Sequence, residues 1–157
     1  MNETVGDLWT FHEKGEHIGI ACNIGWNRAG HGIMGLGTAH QAVVRFPAIA
    51  QRWGQCCING KKNTPVTIFP WNLVMIPTKP LNQEYPWLSW DQPSDFALLD
   101  RSLLQLAAIT TPVFLPLLGA GAGRLPKADV LLLMRERLRD TPHTIVHKHA
   151  ACRLNSR

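Results

Sequence analysis

A chain of 157 residues with 45% hydrophobic and 17% charged residues reads as one globular domain, with enough chain to withdraw roughly 70% of its unfolded surface from water. That composition excludes intrinsic disorder, and no apolar run approaches the ~20 residues of a membrane span. The net charge of +5 favours anionic guests, but the bases are dispersed rather than gathered in a nucleic-acid-binding run.

In chain order, residues 16–23 (EHIGIACN) read as a short buried strand that opens into a glycine-rich stretch, residues 24–37. From Thr38 the apolar positions Ala39, Ala42, Val43, Phe46, Ile49 and Ala50 recur at helical spacing, with an interruption expected at Pro47. Short strands are expected over residues 55–58, 66–69 and 73–76. After a Pro- and Trp-rich connection, Ser94 or Asp95 is the N-cap of a helix whose buried face is Leu98, Leu99, Leu103, Leu104, Ala107 and Ala108. Residues 112–118 (PVFLPLL) are fully apolar and suit a central strand covered on both faces. A second glycine loop, Gly119 to Gly123, leads into a helix over residues 127–138. Residues 144–147 form a last strand, and residues 148–157 make a basic tail expected to fray.

Strand, glycine loop and helix thus occur twice. Strands alternating with helices imply an α/β fold, a three-layer α/β/α sandwich with a mixed central sheet. Ligands of such sheets bind outside the carboxyl ends of the strands, where both glycine loops fall. Glycine lets the backbone approach a guest, and loop amides followed by a helix start form an anion site. Two such loops across one cleft suit a diphosphate. Neither has the Lys and Ser/Thr of a P-loop, and the spacing of Gly32, Gly35 and Gly37 does not match a dinucleotide fingerprint.

Four segments carry a family resemblance. GIMGLGTAHQAVVRFP (Gly32 to Pro47) is similar to the GVMGKGIALQFKKRFP pattern of macro domains in the DarG antitoxin group, which remove ADP-ribose from DNA bases. LVMIPTK (Leu73 to Lys79) resembles that group's INFPTK, and FLPLLGAGAGRL (Phe114 to Leu125) its IPPLGCGNGGL. GDLWT (Gly6 to Thr10) resembles the GDIT start of macro domains generally. The order agrees, and the resemblance covers residues 4–147, so the expected domain is 1–147 with 148–157 as the tail.

What the resemblance implies is residue-specific. Asp7 matches the acid that accepts a hydrogen bond from the adenine amino group; without the resemblance it is a turn or strand-end cap. Leu8, Gly32, Met34, Thr78 and Leu118 fall among the implied ligand-binding positions. Asn27 matches the asparagine near the distal ribose, although Asn23 can take that role instead, because an amide both donates and accepts. His31 and Arg28, in an apparent insertion, are expected to face water. Gly35 and Gly37 match the loop around the distal ribose and phosphate. Gly119, Ala120, Gly121, Ala122 and Gly123 match the diphosphate loop. Lys79 matches the lysine acting at the anomeric carbon; burial at an apolar cleft edge would lower its pKa and make it a nucleophile or base.

The sequence also departs from the pattern. Gly123 stands where terminal ADP-ribose glycohydrolases carry Asp, Ala122 replaces the DarG-like Asn, and Arg124 with Leu125 replaces an aromatic over the distal ribose. Residues 85–90 (YPWLSW) either stack a base or cover a core edge, and the core edge is the expectation.

Cys22, Cys56, Cys57 and Cys152 lack metal or disulfide spacing, and Cys22, Cys56 and Cys57 lie in apolar strand-like segments, so buried free thiols are expected at those three, with no metal and no cofactor. The N-terminal residues lack a signal peptide's apolar core, which points to a cytoplasmic protein. The functional expectation is an ADP-ribose-binding domain, a hydrolase that frees ADP-ribose from DNA or protein. A non-catalytic binder of ADP-ribose or an NAD-derived signal, and a phosphatase of ADP-ribose 1''-phosphate, are the alternatives. Nothing in the sequence fixes an oligomeric state.

Overall fold

The apolar run His17–Asn23 forms β2 and lies inside a sheet because both of its faces are clothed by helices. The computed structural model describes residues 1–148. Its strands are β1 (Asn2–Val5), β2, β3 (Thr67–Phe69), β4 (Leu73–Lys79), β5 (Val113–Leu115) and β6 (Thr144–His147), and its helices are α1 (Leu8–Glu13), α2 (Gly37–Arg45), α3 (Ala48–Gly60), α4 (Phe96–Ala107) and α5 (Lys127–Arg137). The spatial order is β1-β6-β5-β2-β4-β3. All neighbours run parallel except the antiparallel β3–β4 pair, so the sheet is mixed as expected.

Alternation along β4 builds the three layers. Leu73 and Met75 join Ile18, Ile20 and Cys22 under α1, α2 and α3; Val74 and Ile76 face α4 and α5 with Leu115 and Ile145. Every residue of β4 is buried. On the second face Leu99, Leu103 and Leu106 of α4 meet Val130 and Met134 of α5. Each such side chain contributes about 1.5–3 kcal/mol of burial energy.

The break at Pro47 is present: α2 ends at Arg45, and Pro47 is the N-cap of α3. Asp95 rather than Ser94 caps α4, accepting from the Ala97 amide at 3.3 Å. The strand expected at residues 55–58 is wrong; they belong to α3. Ile49, Trp53 and Cys57 recur at helical spacing and are fully buried, a stripe that four apolar-looking residues alone cannot reveal. The central apolar strand is shorter than residues 112–118, since Pro116 has no N–H to continue a ladder and Leu118 turns into the core. β1 and α1 were not anticipated as elements. The expected tail lies outside the described residues except for Lys148. Among the described residues no helix is long and apolar enough to cross a membrane.

Candidate functional site

Parallel β2, β4, β5 and β6 send their carboxyl ends to one edge of the sheet, where a cavity of about 790 Å³ opens. Asp7, Leu8, Asn23, Gly35, Gly37, Thr78, Lys79 and the whole run Gly119, Ala120, Gly121, Ala122 and Gly123 line it. The two glycine loops therefore do share one space.

The first loop enters α2 without a capping side chain, because Leu36 occupies the N-cap position. Gly37 takes φ +56°, open to glycine at little cost. The backbone N–H groups of residues 37–39 consequently have no acceptor among the described residues. Four orphan amides are the rule at a helix start, and a Ser, Thr or Asp there would consume one of them. Here they remain for a guest, reinforced by the helix dipole.

The second loop satisfies itself only in part. Ala120 N–H donates to the Leu117 carbonyl at 3.3 Å, Leu125 N–H to Gly119 and Arg124 N–H to Gly121, both at 3.0 Å. The N–H groups of residues 121–123 have no acceptor among the described residues. Successive free amides of this kind form an anion-binding concavity. Beneath the loop lies Ser94, whose N–H donates to the Gly123 carbonyl at 2.9 Å. A Cβ on Gly123 would collide with Ser94 Oγ, and it would stand 2.5 Å from the Gly119 carbonyl oxygen. The site is therefore closed to any side chain at 123.

Asn23 is held at both ends of its amide. Its Oδ1 accepts from the Gly25 amide at 3.0 Å, and its Nδ2 donates to the Ile33 carbonyl at 2.9 Å, which fixes the orientation. Its own carbonyl accepts from the Trp53 indole at 3.0 Å. Asp7 is both a cap and a cavity residue. Its Oδ1 accepts from the Trp9 amide at 2.8 Å at the start of α1, and the second carboxylate oxygen has no protein donor among the described residues.

Lys79 ends β4 with only 8% of its surface exposed, and Nζ donates to the Trp90 carbonyl at 2.8 Å. Burial, and after it the nearby Arg124 charge, hold its ammonium below the ordinary lysine range, with Asp91 opposing. Arg124 donates to the Asp91 carbonyl at 3.1 Å. Two cations thus grip successive carbonyls of the 3-10 segment Pro86–Asp91. That segment reaches the cavity through Trp90, while Ser89 is fully buried and accepts from the Asn82 amide. Its rings stay half open, Trp87 at 39% and Trp90 at 38%, contrary to the expectation that they cover the core.

Several named residues fall elsewhere. Asn27 is an exposed turn residue whose Oδ1 accepts from the Ala29 and His31 amides, both at 3.0 Å. Gly32 bridges Trp26 and donates to the Ala50 carbonyl, with no room for a Cβ beside Trp53. Met34 and Leu118 are core residues, at 7% and 0% exposure. These four do not line the cavity. Arg28 faces solvent as expected and stacks over Trp87, its guanidinium 5.7 Å from the ring centre. Trp9 and Gln41 line the cavity without having been singled out, and Trp90 lines it from the segment 85–90, for which base stacking was the alternative. Gln41 was within reach of sequence reasoning, standing one helical turn past Gly37 on the same face.

No protein-family model matches the chain, and no curated protein matches it by sequence. Solved structures do. The macrodomain of Mycobacterium tuberculosis DarG superposes with a TM-score of 0.68 at 24% identity, over 92% of this chain and 95% of that one. The macrodomain of Thermus aquaticus DarG gives 0.66 at 23% identity, over 94% and 97%. Thermosipho africanus DarTG, in complex with ADP-ribose, gives 0.68 at 18% identity; the match spans 93% of this chain but only 41% of that longer one.

Proposed function

Starting from a chain that has the macro domain fold, we propose that its cavity binds ADP-ribose and that Lys79 releases the ADP-ribosyl group from a nucleobase or protein acceptor. One observation carries the reading: two sets of unpartnered amides, residues 37–39 and 121–123, open on a single cavity. A diphosphate supplies acceptors in two directions from two linked phosphorus centres, so it can engage both sets at once. The volume of about 790 Å³ falls in the range of about 300–1,000 Å³ usual for small-molecule sites. The ADP-ribose bound by the T. africanus neighbour supports the identity of the guest.

Lys79 is suited to the chemistry because burial favours its neutral amine. The amine lone pair attacks the anomeric carbon of the distal ribose. The bond to the acceptor breaks with its electron pair leaving on the acceptor, which takes a proton from water. Hydrolysis of the ribosyl–lysine link by a second water frees ADP-ribose and restores the amine. Asn23, beside Lys79 and locked in orientation, offers its remaining amide hydrogen to a ribose hydroxyl.

A second reading, binding without turnover, is favoured by the closed space at Gly123, which denies Lys79 an acidic partner from that loop. Calorimetry with ADP-ribose and turnover of ADP-ribosylated DNA and protein separate the two. Turnover lost in Lys79→Ala with binding retained supports the hydrolase. Binding without turnover in the wild type leaves the second reading. No heat at millimolar ADP-ribose removes both.

A further inference from the structure

We infer that Gln41 contacts the guest directly, donating a hydrogen bond to its nucleoside half. The inference rests on the ADP-ribose reading and assigns a contact within it. An indole N–H can only donate, and that of Trp9 donates to Gln41 Oε1 at 2.7 Å. The carboxamide is thereby oriented, since a flipped amide would set donor against donor. Nε2 carries the two hydrogens on the other side, and it has no protein acceptor among the described residues. Gln41 lines the cavity.

The pin itself is rigid. Trp9 is 6% exposed, and the Arg45 guanidinium lies over its ring at 4.0 Å from the centroid. Its backbone N–H donates to Asp7 Oδ1. Asp7, Trp9 and Gln41 therefore form one connected unit joining the start of α1 to the first turns of α2. Gln41 lies one turn beyond Gly37 on the α2 face whose initial amides open on the cavity. A guest with its diphosphate on those amides and its base toward the Asp7 carboxylate passes Gln41 with the nucleoside between. The ribose oxygens and the ring nitrogens of that part are acceptors, which is what an oriented amide NH₂ complements.

Gln41→Met removes donor and acceptor at nearly constant length; Gln41→Glu keeps an oxygen for Trp9, removes the donor and adds a negative charge. ADP-ribose and AMP are titrated calorimetrically into each protein, with ribose 5-phosphate as the nucleoside-free control and thermal melting as the test of folding. Both variants are expected to melt as cooperatively as wild type. Both should lose about tenfold in affinity for ADP-ribose and by a similar factor for AMP, with ribose 5-phosphate unchanged by Gln41→Met. ADP-ribose affinity within twofold of wild type in Gln41→Met, with a lowered melting temperature, would show Gln41 to be only a tie between helices and overturn the inference. Loss for ADP-ribose without loss for AMP would overturn its placement at the nucleoside. If the wild type binds neither ADP-ribose nor AMP, the ADP-ribose reading itself is removed, and this contact with it.

Discussion

Asn23 and Lys79 face each other across the parallel β2–β4 ladder at a bulge that leaves Thr78 with no opposite residue. Up to Cys22 and Pro77 the pairing runs residue for residue, and then one step is skipped. A bulge re-aims the side chain that follows it. Thr78 is anchored instead by its hydroxyl to the Cys22 carbonyl at 3.4 Å and by its own carbonyl to the Asp95 amide at 3.0 Å. The skipped step sets the buried amide and the buried amine side by side at the end of the sheet.

From this follows a contrast between the two asparagines. Asn23→Ala orphans the Gly25 amide and the Ile33 carbonyl, and it should cost about 2–4 kcal/mol of stability by chemical denaturation. ADP-ribose affinity should fall more than tenfold. Asn27→Ala loses only an exposed turn cap, worth about 1 kcal/mol, and should bind within twofold of wild type. Equal affinity losses in the two variants would contradict the placement of Asn27 outside the cavity.

For Lys79 the sign of the pH effect is fixed by its lowered pKa. Between the folded value and the ordinary lysine value the unfolded chain binds more protons, so stability rises with pH across that window. Lys79→Met should abolish that alkaline rise. Turnover in wild type should climb over the same window as the amine loses its proton. Denaturation curves and initial rates from about pH 7 to about pH 10 test both; turnover that falls through the window would exclude the amine as nucleophile.

The glycines of the second loop divide by what surrounds them. A Cβ on Gly121 meets nothing within 4 Å, whereas one on Gly123 meets Ser94 and the Gly119 carbonyl. Gly121→Ala should therefore leave the melting temperature nearly unchanged and weaken ADP-ribose, because the methyl enters space meant for the guest. Gly123→Ala should lower both, by about 1–3 kcal/mol in stability. Unaltered ADP-ribose affinity in Gly121→Ala would show that the loop does not touch the ligand.

Local signals explain what could be read from the chain. Loops 32–37 and 119–123 announce themselves by glycine, and Lys79 by its place between an apolar strand and Pro80, so the backbone half of the site was legible. The three-layer architecture was legible too, because strand and helix periods alternate. Residues 55–58 misled because their tertiary partners, Ile49 and Trp53, lie a turn or more upstream in the same stripe. Asn23 against Asn27 stayed open since one ends the strand and the other follows it by four residues in the glycine-rich stretch; only the bulge and the Trp53 indole decide which one is buried. Ser94 was offered beside Asp95 as a helix cap, a role Asp95 takes, and its place under the second glycine loop is a contact between residues far apart in sequence that no local signal shows.

Glu3 ties the far edge of the sheet to the cavity wall and gives the acid side of the stability curve. Its Oε1 accepts from Arg135 at 2.8 Å and from His147 Nε2 at 2.9 Å, and its Oε2 accepts from Arg135 Nε at 3.2 Å. A carboxylate only accepts, so the His147 proton shared with it sits on Nε2. Burial would raise the Glu3 carboxyl, but the hydrogen bonds and charges of Arg135 and His147 outweigh it and hold it below the ordinary carboxylate range. A group lowered in this way stabilises the fold above its unfolded pKa, and that stability is lost as pH falls through the folded value. Glu3→Gln should cost about 1.5–3 kcal/mol at neutral pH and flatten the acid-side decline, as measured by denaturation from about pH 7 to about pH 3. Because the Glu3 side chain does not line the cavity, ADP-ribose affinity at pH 7 should stay within threefold of wild type. A variant as stable as wild type at neutral pH would mean the ion pair contributes nothing net to holding β1 and β6 against α5.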